Sequence, residues 1–371
     1  MSRGDCCRLR IDAAAAMGNI CFPWLTDRLI RRVSSPSSAL RDFRGSSESA
    51  APQRKHHRAW AVDSVEDDGY FGRRSLSWTI LGATPVPLMI AQVTNLLEAP
   101  HVDFQSVMLD HDPLYPTNRK KQRAWRGDPA KKGGRITDRL RRTVVGPLPI
   151  IFGDRETARR CADRLVAYHR PMQGINSDDG EMYSAVDPDT MLFASVTIAH
   201  GALLAYERFV FRDRRFPRRL PECDRDQFFA ETAELAVLMG VPRDRIPVTA
   251  RDVAHYYRSQ SSKYRKRQGY FASQLRTAKS QFRLTDADTA GTMAADLLLV
   301  GTTFLAYGAI PRPCRRLHRI PRIADPLLDL LYLASLPAFA LLHVGRLGPR
   351  LVDAFIGEDN AEAIRRSQLA C

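Results

Sequence analysis

Two histidines frame the stretch YHRPMQGINSDDGEMYSAVDPDTMLFASVTIAHGALLAYERF (168–209), each within an otherwise apolar helical pattern. His169 shares a helix face with Ala162, Leu165 and Val166; His200 has Val196 and Thr197 one turn behind it and Leu203 and Leu204 one turn ahead. An imidazole on an apolar face either satisfies itself on a carbonyl in the core or, neutral and inward-facing, ligates a metal or a haem. A haem also needs apolar walls and cationic groups for its propionates, and an Arg-rich helical chain offers both. Non-haem iron needs two histidines and a carboxylate, for which His169, His200 and Asp187 or Glu207 are of the right type.

Other chemistries lack their signatures. No Gly-rich phosphate loop, GxGxxG or GxxxxGK[ST], is present, and there is no HExxH helix or GxSxG elbow. The seven cysteines (Cys6, Cys7, Cys21, Cys161, Cys223, Cys314, Cys371) form no CxxC pair, so neither a zinc ribbon nor a dithiol redox site is indicated. Their odd number in a long chain is consistent with reduced thiols and a cytoplasmic setting.

The elements that would position the histidines are helices. Asp154 opens DRETARRCADRLVAYHR with an acidic first turn. Asp187 followed by Pro188 is a capping residue with proline at the first helical position. A third helix covers DQFFAETAELAVLMG and ends at Gly240, and PRDRIPVTARDVAHYYRSQ starts a fourth. From Ser75, SLSWTILGATPVPLMIAQVTNLLEAPHVDF reads as an apolar helix broken by Pro85 and Pro87. Period-two alternation is nearly absent, so the expected fold class is all-α.

At 371 residues the chain can bury a substantial core. The expected organisation is a Ser/Pro- and charge-rich disordered tail (1–75), one large helical domain (76–357) and a short C-terminal tail (358–371). The formal net charge of +15, mostly from arginine, suits anionic partners. No compact basic helix with interleaved aromatics accompanies it, which argues against nucleic acid. Two apolar tracts, 293–310 and 326–345, approach membrane-spanning length, but Asp296 interrupts the first and Asp329 with Pro337 the second. Both read as buried helices. The basic PRPCRRLHRIPR between them suits peripheral contact with an anionic membrane. The opening residues hold no sustained apolar core before a small-residue cleavage site, so no signal peptide is expected; Met17 is a second candidate start.

The succession FGDRETARRCADRLVAYHRPMQG, then YSAVDP, then an apolar helix ending LLAYERF resembles the MpaB and rubber-oxygenase (latex-clearing protein) family. That family's pattern is FG, an acidic residue, a helix ending HxxVxG, a loop, YxAxDP and a helix beginning WVHATL. Downstream, AETAELAVLMGVPRDRIPVTARDVAHYY resembles its next segment, and the resemblance spans about 76–350. It implies an all-helical fold of the rubber-oxygenase type, haem b bound through histidine, and oxidative cleavage of carbon–carbon double bonds of an apolar isoprenoid or lipid-like substrate with dioxygen. His169 matches the histidine of HxxVxG, with Met172 in place of its valine. Gly174, Tyr183, Ala185, Asp187 and Pro188 match in turn.

One position departs from the family. Ser195 falls where the WVH histidine should stand, with Phe193 for the tryptophan and Thr197 for the threonine. Serine is no axial haem ligand. His200 lies five residues on, about 140° around the helix. The resemblance then implies His200 as the axial iron ligand and His169 as the second pocket imidazole. Thr197 would line the pocket, and Arg164 and Arg170 are the nearest guanidiniums for propionates. Tyr183 and Asp187 are expected to fix the loop and cap the helix. The alternative is a ligand-depleted, non-catalytic lipid-binding or scaffold member of the same family.

Overall fold

The computed structural model describes residues 67–112, 141–176, 179–213, 215–266, 301–343, 347–357 and 361–362. The expected tail up to residue 66, residues 113–140, Asp296 and the last nine residues lie outside them. All the described residues belong to one compact unit spanning 57–371.

Packing begins before the expected boundary at 76. Phe71 is part of the core, and the Asp67 carboxylate accepts the Gly69 and Arg155 backbone N–H groups at 2.9 and 3.0 Å. Gly69 has φ +72, and a Cβ there would fall 2.2 Å from the Gly153 carbonyl oxygen, so only glycine fits.

Helix α1 (Leu76–Gly82) is capped by Ser75, whose Oγ accepts from Trp78 N at 3.1 Å. The expected break in this apolar run comes one step earlier than proline alone would place it. The chain bends 90° between α1 and α2 (Pro85–Glu98), and both prolines sit in the first turn of α2, where no intrahelical N–H is needed. Helix α3 (Val102–His111) follows. The short α4 (Leu148–Phe152) leads into α5 (Arg155–His169), where Asp154 Oδ1 accepts from Thr157 N at 2.7 Å. Then comes the one sheet among the described residues, a ribbon of β1 (Gln173–Ile175) and β2 (Met182–Ser184) paired antiparallel with Gly174 opposite Tyr183. Its three-residue strands are too short to carry a period-two signal, and the all-α class stands.

Helix α6 (Pro188–Phe209) is the spine. Asp187 caps it, accepting from Asp189 N at 2.8 Å. Its most extensive partner is α2, and the two pack so tightly at Gly201 that a Cβ there would fall 2.1 Å from Thr94 Oγ1. Helix α7 (Glu222–Leu238) ends as expected: Gly240 has φ +90, and Val241 N bonds Ala236 O, the 6→1 closure of a glycine C-cap. Its Glu231 reaches across to accept Ser77 N at 2.7 Å, placing negative charge at the N-terminus of α1. Helix α8 (Ala250–Ser259) is capped by Thr249.

The C-terminal part comprises a helical run over 301–309, α9 (Arg312–Leu317), α10 (Asp325–Leu341) and α11 (Leu347–Ile356). Arg315, 3% exposed, ties the first three together. It donates to Gly308 O at 2.9 Å and pairs with Asp325 at 3.2 Å and Asp329 at 2.7 Å. The acidic interruption of the second apolar tract is thus a partner for a buried guanidinium. The expectation that this tract is a buried helix holds on one face only, since Leu327, Leu330 and Leu331 are exposed to solvent.

Candidate functional site

Helix α6 presents two chemically distinct faces. At 100° per residue, Phe193, Thr197 and His200 share one side; Ser195, Ile198, Ala199 and Ala202 share the opposite side.

The first face meets the end of α2. Thr197, fully buried, donates to Glu98 Oε1 at 2.6 Å, and Glu98 is only 5% exposed. The last-turn carbonyls of α2, which have no helical partner, are all taken up. Asn95 O accepts Ala99 N, His318 Nε2 bonds Leu96 O at 2.7 Å, the Tyr264 hydroxyl donates to Leu97 O at 3.5 Å, and Glu98 O accepts His101 N at 2.9 Å. Next to this end lies His101, 3% exposed, stacked on Phe193 with ring centroids 4.0 Å apart and edge-on to Tyr264. No hydrogen bond of ordinary geometry reaches either of its ring nitrogens, although Gln260 and Asp103 lie near enough to stabilise the charged form. Burial outweighs them and lowers its pKa to about 4, so the ring is neutral at pH 7.

His200 continues the same face. Its Nδ1 lies 3.1 Å from the Tyr257 hydroxyl. Burial, reinforced by the Arg225 charge, lowers its pKa to about 4, and burial keeps the Tyr257 phenol protonated. Among the described residues Nδ1 is the ring nitrogen with a hydrogen-bond partner. Ligation through Nε2 would require the tautomer in which Nδ1–H donates to the tyrosine oxygen.

The second face borders an apolar cavity of about 70 Å³ between α1, α2, α4, α6 and α7, lined by Leu81, Ile90, Ile151, Ile198, Ala202 and Phe228 among others. Its polar lining is three threonines, Thr94, Thr143 and Thr232, and no histidine lines it. Thr94 Oγ1 makes no hydrogen bond.

The other residues singled out by sequence go elsewhere. His169 closes α5 beside the ribbon, half-buried, with Nδ1 donating to Leu165 O of its own helix at 2.7 Å. It and His200 have different partners, and no hydrogen bond or ring contact joins them. Arg164 and Arg170 are exposed on and just after α5. Tyr183 donates to Asp110 at 2.6 Å and fastens the ribbon to α3. Glu207, offered above as an iron ligand, pairs with buried Arg225 at 3.2 Å and accepts Leu220 N at 2.9 Å. Among the described residues no three His, Cys, Asp or Glu side chains converge as a metal centre. Sequence reasoning passed over His101, Glu98, Tyr257 and Tyr264. A histidine directly before an α3 start with Asp103 in its first turn was the available signal.

The fold and site define an all-helical protein with an apolar cavity against one central helix and, on that helix's other side, half-buried His200 and the buried ring of His101. The chain matches the family described as "ER-bound oxygenase mpaB/B'/Rubber oxygenase, catalytic domain" over residues 123–368, more than half its length, and belongs to that family. No curated protein and no solved structure matches it.

The family points toward haem, and the residues fit it in part only. His200 has the neutral ring and anchored Nδ1 of an axial donor. The apolar cavity has no histidine in its lining, and Ser195, on the cavity side of α6, stands where the family carries its imidazole. Among the described residues His200 is therefore a candidate donor on the side of α6 away from the cavity, and the cavity itself offers no imidazole.

Proposed function

We propose that this protein is an oxygenase that takes an apolar, isoprenoid or lipid-like substrate and dioxygen, with haem b as the cofactor its family suggests. The observation that carries the reading is the family match over 123–368. The apolar cavity against α6 supports it, because such walls suit a hydrocarbon chain and offer little to a polar one. Within this reading His200 is the iron ligand, held in orientation by Tyr257. Thr197 keeps α6 registered on α2 through Glu98, a positioning role rather than contact with substrate.

A second reading is favoured by one residue. Ser195, 9% exposed, stands on the cavity side where the family carries its histidine. On that reading the chain is a non-catalytic member that binds an apolar ligand.

The ultraviolet–visible spectrum of protein expressed with a haem precursor separates the two. A Soret band lost in His200→Ala and retained in His169→Ala supports the oxygenase with His200 as ligand. If His169→Ala alone loses it, the ligand assignment is wrong. A folded, haem-supplied protein with no Soret band overturns the haem oxygenase and leaves the binding protein.

A further inference from the structure

Helix α10 is apolar on both of its sides. The inner stripe of Leu328, Tyr332, Leu336 and Phe339 packs on the core, and the Tyr332 hydroxyl donates to Arg208 O at 2.7 Å. The outer side carries Leu327 and Leu330, 59% and 61% exposed, and continues through Leu331, Ala334, Pro337 and Ala338, all exposed. It holds no charged or hydrogen-bonding side chain. The only two charged residues of α10, Asp325 and Asp329, turn inward onto Arg316, Arg315 and Arg312. A helix on a water-facing surface places its charges outside and its leucines inside. This one inverts the arrangement on its acidic side and leaves a bare hydrocarbon strip outside.

Two arginines stand at the head of that strip. Arg319 and Arg322 are exposed, and no ion pair or hydrogen bond joins their side chains to any of the described residues. They precede the N-terminus of α10, where the helix dipole disfavours cations, so helix stability does not account for them. Between them and the leucines lies Ile323, 88% exposed. An apolar strip headed by exposed arginines is complementary to a bilayer whose headgroups are anionic and whose acyl boundary lies just beneath.

We propose that the outward face of α10 docks in the plane of an anionic bilayer, with Leu327, Leu330 and Leu331 at the acyl boundary and Arg319 and Arg322 on the headgroups. The helix lies on the membrane rather than crossing it, because its inner stripe belongs to the protein core. This inference does not rest on the oxygenase reading and survives its failure.

The test is co-sedimentation of the full chain with vesicles of phosphatidylcholine alone and of phosphatidylcholine mixed with phosphatidylserine. Wild type is expected to pellet with the mixed vesicles. The triple variant Leu327→Ser, Leu330→Ser, Leu331→Ser, its fold checked by circular dichroism, is expected to lose about tenfold or more in partitioning, as removal of leucines from an acyl boundary requires. Arg319→Ala with Arg322→Ala is expected to lose about fivefold for each arginine, on the mixed vesicles only. The arginine pair keeps the test open should the triple variant misfold. Wild type that stays in the supernatant, or variants that pellet unchanged, overturns the proposal. A wild-type dimer by light scattering that the leucine variant dissolves, without vesicle binding, also overturns it and assigns the face to a second copy.

Discussion

Replacing His101 by leucine should flatten the dependence of stability on pH. The ring is buried, stacked on Phe193, and free of hydrogen bonds at both nitrogens. At pH 7.5 leucine removes two unmade hydrogen bonds, each costing about 1–3 kcal/mol when buried, and forfeits a stack worth about 0.5–1.5 kcal/mol. The variant is therefore expected to equal or exceed wild type there. The native ring takes up a proton only near pH 4, whereas the unfolded ring does so at about 6.5. Because the folded value is the lower one, the stabilisation is fully present above 6.5 and is lost as pH falls toward 4. Each pH unit in that window costs wild type about 1.4 kcal/mol through this one residue, hence about 2 kcal/mol between pH 6.5 and 5.0. Urea unfolding followed by circular dichroism at pH 7.5 and 5.0 measures it. His101→Leu should retain about 2 kcal/mol more of its stability at the lower pH. Equal losses in the two proteins would refute the claim that this ring is held neutral by burial.

Two further predictions follow from packing. In Gly201→Ala the new Cβ would lie 2.1 Å from Thr94 Oγ1 and 3.2 Å from Thr94 Cα, so α2 and α6 must move apart. A loss of about 1–3 kcal/mol is expected, measured as a fall in urea midpoint and partly recovered when Thr94→Ala removes the clashing oxygen. Arg315→Met removes the buried guanidinium shared by Asp325 and Asp329 but leaves Arg316 on the first and Arg312 on the second, so the loss is expected to be measurable yet below the about 3–5 kcal/mol of a buried pair broken outright. Thermal unfolding should show that loss, whereas Arg243→Met, on the exposed pair with Glu234, should stay within about 1 kcal/mol of wild type.

The helix starts at Asp154 and Asp187–Pro188, the stop at Gly240 and the family itself were all legible in the residues. Each rests on neighbours within a few positions: a carboxylate reaching two or three residues ahead, a proline that needs no partner, a glycine free to take positive φ. Only the tertiary structure decided which groups meet across the chain. His318 reaches Leu96 O over 222 positions and Thr197 reaches Glu98 over 99, and no local pattern encodes such pairings. His169 and His200 looked equivalent by periodicity, yet one bonds its own helix and the other a tyrosine on α8. Periodicity reports that a face is apolar, not what it faces. For the same reason α10 read as a core helix, until packing buried one of its apolar sides and left the other exposed.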